Sequence, residues 1–71
     1  MDQSVTKEYN MDPDANLYEQ IALARTINHG FDNVEPIEDF NCARLATLVV
    51  ELDEWIRKGG FLPQRWAGPH Q

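Results

Sequence analysis

Cysteine is nearly missing from this chain. Cys42 is the only one in 71 residues, so no disulfide can close within the chain, and that usage suits a reducing, cytoplasmic setting. Metal ligands are equally sparse. Zinc needs about four Cys, His or carboxylate ligands at fixed local spacing, whereas Cys42, His29 and His70 lie far apart. No structural metal is expected, and no cofactor. Long apolar runs are missing too, none approaching the roughly 20 residues that span a bilayer. The opening Met1-Asp2-Gln3-Ser4 has neither the basic start nor the apolar run of a signal peptide. The expectation is a soluble intracellular protein, lying in the host cell cytoplasm if phage-encoded.

Positive charge is the last deficit. Six basic residues stand against twelve acidic ones, giving a net charge of −6, and Lys7, Arg25, Arg44, Arg57, Lys58 and Arg65 form no dense stripe. Such a chain repels nucleic-acid phosphates and can approach a basic protein surface. A chain this short buries only about 60% of its unfolded surface, and a single small core rarely supplies more than roughly 3–5 kcal/mol. With disulfides and metals set aside, self-association is the remaining way to complete the core.

What is present reads as helix. Residues 1–11 show no period and read as a flexible arm. Asp12-Pro13-Asp14 then offers a capping side chain, a proline with the φ of a first helical position, and a carboxylate suited to the positive helix end. Leu17, Ile21 and Ala24 share one side of the helix that follows, and Leu23 and Ile27 widen that arc beyond what one neighbouring helix covers. Gly30, after His29, predicts its end. Phe31 to Pro36 reads as a connector, with a turn at Asp32-Asn33.

A second helix is predicted from between Pro36 and Asp39 to Lys58, closed by Gly59. Leu45, Leu48, Val49, Leu52, Trp55 and Ile56 form its continuous stripe, the strongest pattern in the sequence. On its opposite side Ala43, Ala46 and Val50 make a narrower strip that another helix could approach closely. Glu51, Asp53 and Glu54 lie off the main stripe, and Asp53–Arg57 and Glu54–Lys58 are i,i+4 pairs. The tail Gly59-Gly60-Phe61-Leu62-Pro63-Gln64-Arg65-Trp66 carries three large apolar groups; Phe61 or Leu62 is expected to fold back onto the last helical turn, and Pro63 to stop the helix. Residues 12–66 thus read as one helical-hairpin domain and 67–71 as a flexible end.

Candidate catalytic groups lack company. His29 reads as a helix end where a cationic side chain is favourable, Cys42 as a small hydrophobe without a base partner, and Glu51, Asp53 and Glu54 as a solvated face. Gly59-Gly60 follows a helix rather than a strand and lacks the lysine of a phosphate loop. No catalytic residue is assigned, and the chain is expected not to be an enzyme. Guanidinium groups and aromatic rings remain. Arg25, Arg57, Arg65 and Trp66 are the candidate ligand-binding residues, since a cation can hold phosphate while a ring stacks on a base. For Trp55 and Phe61 the structural role, completing a thin core, is preferred.

From Ala43-Arg44-Leu45-Ala46 through Leu52-Asp53-Glu54-Trp55 and Gly59-Gly60-Phe61-Leu62-Pro63 to Trp66, the chain resembles small uncharacterised proteins of bacteriophages and their bacterial hosts that end in this pattern. The resemblance covers about a third of the chain and implies a phage-type accessory protein, with no functional residue carried over. The sequence therefore leads to an all-α helical hairpin completed by homo-oligomerisation into a bundle. Its expected work is to counter a host defence by sequestering a ligand such as a cyclic nucleotide messenger. The alternatives are an acidic inhibitor masking a basic partner, such as a host defence protein, or a structural component of a virion.

Overall fold

The computed structural model describes residues 11–67; the predicted arm, apart from Met11, and residues 68–71 lie outside that range. Two long helices, α1 (Pro13–Asp32) and α2 (Asp39–Arg57), pack against each other as a hairpin, and a single turn, α3 (Gln64–Ala67), follows. Ala67, assigned from sequence to a flexible end, closes that turn.

At the start of α1 the side chain of Asp12 accepts from the backbone N–H of Ala15 at 3.1 Å, with Pro13 in the first helical turn. Asp14 lies in the first turn of α1 as expected and also serves a second helix. Its carboxylate accepts from the N–H of Gln64 at 2.7 Å and so pins α3 to the beginning of α1.

The end of α1 corrects the sequence reading. Gly30 does not close the helix but lies buried inside it, where its missing Cβ lets Ile37 approach; a Cβ would stand 3.3 Å from Ile37 Cγ1. The chain turns four residues later. Glu35 N–H donates to the Gly30 carbonyl at 2.7 Å and Val34 N–H to that of Phe31 at 3.3 Å, with Val34 in the left-handed region at φ 55°. Asn33 supports this end through its amide, which donates to the His29 carbonyl at 2.8 Å. At α2 the same device falls on the expected residue. Gly59, at φ 97°, donates to Ile56, and Gly60 donates to the Trp55 carbonyl.

The core is thin. Leu17, Leu48 and Leu52 are its buried hydrophobic side chains, extended by the half-buried Ile21, Leu23, Ala24, Ile27, Leu45, Trp55 and Ile56. A polar pair crosses it. Asn16, 6% exposed, donates to the Leu48 carbonyl at 3.1 Å, and its own carbonyl accepts from Gln20 at 2.7 Å. These bonds fix which turn of α1 meets which turn of α2, because a slip of one turn would leave the buried amide unpaired. A bidentate pair at the edge, Arg44 to Glu19 at 2.9 and 3.0 Å, acts in the same register.

The tail folds back onto the last turn of α2 as expected, but Phe61 stays 66% exposed and does not complete the core as the sequence suggested, because it packs on the outer edge of Trp55. The Phe61 ring meets Trp55 edge to face at 5.5 Å, and Trp55 Nε1 donates to the Phe61 carbonyl at 2.9 Å. Gly60 lies flat beneath the indole, where any Cβ would collide with the ring.

Candidate functional site

The hairpin's two ends differ in chemistry. At the connector end every residue from Phe31 to Phe40 is exposed, and the segment alternates apolar groups with acids: Phe31, Val34, Ile37 and Phe40 among Asp32, Glu35, Glu38 and Asp39. Val34 is the extreme case, 92% exposed and held at positive φ. A β-branched residue there is strained, and nothing folds over its side chain in return. Strain of this kind is concentrated at functional surfaces. Around the tip the nearest cation-forming group is His29, whose Nε2 stands 3.8 Å from Glu35.

The opposite end carries three of the four sequence-predicted ligand residues. Arg57 closes α2, and Arg65 and Trp66 lie on α3, which Asp14 holds against the start of α1; all three are exposed. Arg25 is separated from them. It sits eleven residues beyond Asp14 on α1, roughly 16 Å along the axis at 1.5 Å per residue. Arg57 is also shared, since Asp53 Oδ2 lies 3.7 Å from its guanidinium.

The groups set aside as catalytic remain apart. Glu51, Asp53 and Glu54 are exposed, and Glu54 and Lys58 do not come within ion-pair distance although they share an i,i+4 spacing. Cys42 is exposed, because it falls about 120° around α2 from Leu48 and so off the packed stripe. Among the described residues, no group of three or more His, Cys, Asp or Glu side chains could hold a metal ion, and no helix is long and apolar enough to cross a membrane.

One carboxylate is electrostatically distinct. Its hydrogen bonds from Arg44, helped by that guanidinium's charge, hold Glu19 below the ordinary carboxylate range, and Glu19 in turn raises Arg44. This pair braces the helices rather than facing a ligand. Ion pairs among the described residues are Arg44–Glu19 and Arg57–Asp53, with His29–Glu35 a third when the imidazole is protonated; Asp12, Asp14, Asp32, Glu38, Asp39, Glu51 and Glu54 are exposed carboxylates outside all of them.

Sequence reasoning treated the tip as a connector and missed it. Its signal was four large apolar side chains in ten residues, Val34 and Ile37 in the loop and Phe31 and Phe40 on the helix ends that flank it, where turns ordinarily carry polar ones. The fold and surface define an all-α hairpin with an acidic, apolar-studded tip. No known protein family, curated protein or solved structure matches the chain.

Proposed function

We propose that this chain is a non-enzymatic accessory binding protein of phage type, cytoplasmic and homo-oligomeric, that counters a host function by docking on and masking a basic surface of a partner protein. The observation that supports this reading is the tip, where Phe31, Val34, Ile37 and Phe40 lie open to solvent among Asp32, Glu35, Glu38 and Asp39. Exposed apolar groups favour a protein interface, and the interleaved carboxylates select a partner rimmed with Lys or Arg. The same carboxylates disfavour nucleic acid and anionic membranes.

A second reading is sequestration of a cyclic nucleotide messenger at the other end, supported by the shared location of exposed Arg57, Arg65 and Trp66. One measurement separates the two. Mass spectrometry of small molecules released by heating the purified protein is expected to find no nucleotide in proportion to the chain. A nucleotide near one per binding site, lost on Arg65→Ala or Trp66→Ala, would replace the masking reading with the sponge.

A further inference from the structure

Among the described residues nothing packs against the back of α2, and the sequence of that face carries instructions for one occupant. Asp39, Ala43, Ala46, Val50, Asp53 and Arg57 are all exposed and recur at spacings of four, three, four, three and four residues. That is the seam of a two-helix coil, on the side away from α1. Val50 is 55% exposed there, with Val49 beside it at 47%, and a shallow groove runs between Ala46, Thr47, Val50 and Glu51.

Charge selects both the partner and its direction. The seam is symmetric about position 48, so two copies laid antiparallel place Ala46 against Val50, Ala43 against Asp53, and Asp39 against Arg57, each layer occurring twice. A parallel pair would instead set Arg57 on Arg57, Asp53 on Asp53 and Asp39 on Asp39. The antiparallel layers contain no like charges in opposition; the parallel ones contain three. Alanines at 43 and 46 allow the close approach that brings the terminal ion pairs within reach, at axis separations near the lower end of about 8–10 Å.

We infer that a second copy of this chain docks through the exposed face of α2, forming an antiparallel, two-fold symmetric α2–α2 pair closed at both ends by Asp39–Arg57 contacts between protomers. A two-fold contact of this kind is self-limiting, each protomer offering the same patch to the other. It covers Val50 and the alanines and engages Asp39 of each tip, while Phe31, Val34 and Ile37 lie off the seam. The inference rests on the homo-oligomeric reading above and specifies its interface.

Charge reversal tests it. Light scattering after size exclusion, across about 5–200 µM chain, is expected to show a dimer for the wild type. Arg57→Glu and Asp39→Arg should each weaken it by about tenfold or more, since each sets like charges in opposition twice. The double variant, Arg57→Glu with Asp39→Arg, should restore the dimer, because it exchanges the two signs without changing the pairing. Circular dichroism confirms that each variant keeps its helices. A wild-type monomer throughout that range overturns both the oligomeric reading and this interface. A wild-type oligomer that ignores the single reversals, or is not restored by the double one, overturns the interface alone.

Discussion

Val34 is the residue at which this structure predicts a stability gain from removing an apolar side chain. Its φ of 55° puts a β-branched residue where the Cβ crowds its own carbonyl, a conformation that costs about 1–2 kcal/mol for residues other than glycine, with asparagine the best tolerated of them. At 92% exposure the side chain contributes almost no burial to offset that cost. Val34→Asn should therefore recover about 1 kcal/mol. Val34→Gly recovers the strain more fully but gives back roughly 0.4–1 kcal/mol through a more flexible unfolded chain, so the two variants should fall close together. In a domain of this size 1 kcal/mol moves Tm by about 4–8 °C. Thermal unfolding followed by helical circular dichroism reads the shift, at one fixed chain concentration because self-association also moves Tm. A Tm lowered by both substitutions would refute the reasoning, since it would mean that the valine is packed or that the turn is not left-handed.

Leu48→Ala or Leu52→Ala should cost about 2–5 kcal/mol, enough to unfold so thin a core, whereas Glu51→Ala should stay within about half a kcal/mol; helicity at 222 nm distinguishes them, and equal effects would mean that the helical phase is wrong. Asn16→Ala removes the donor to the Leu48 carbonyl and the acceptor for Gln20, so urea unfolding should show a loss of about 1–3 kcal/mol. Acid should release the Glu19–Arg44 brace. Because the folded carboxyl titrates below its ordinary value of 4.5, its stabilisation is present above that pH and fades as pH falls through the lowered folded value. Arg44→Gln should flatten this part of a stability-against-pH curve, and an unchanged acid limb would show that the pair contributes nothing.

The hairpin was legible because its boundaries are covalent peculiarities. Proline at position 13, the Asp12 cap and Gly59 carry their conformational preferences with them, and the stripe from Leu45 to Ile56 needs only the helical period. The end of α1 was not legible for the converse reason. Gly30 meets a packing need, room for Ile37, that local sequence does not encode, while the left-handed position fell to a valine that propensity alone would never place there. Asn16 escaped notice because an amide beside Leu17 reads as surface until the facing helix supplies Leu48. Of the candidate ligand residues, Arg57 is at this end as the last residue of α2, while Arg65 and Trp66 are held at the start of α1 by Asp14, a contact across 50 residues of chain.

Docking of the acidic, apolar tip on a basic protein surface is tested most directly by a photo-crosslinking amino acid at position 34, irradiated in the cell that makes the protein. The control is the same group at position 25, on α1 and away from the tip. Docking at the tip predicts a discrete adduct from position 34 alone, joined beside a cluster of Lys or Arg on the partner, and lost when Phe31 and Phe40 are both changed to Ser with helicity intact. Equal labelling from positions 34 and 25, or an adduct that survives the loss of both phenylalanines, would contradict it.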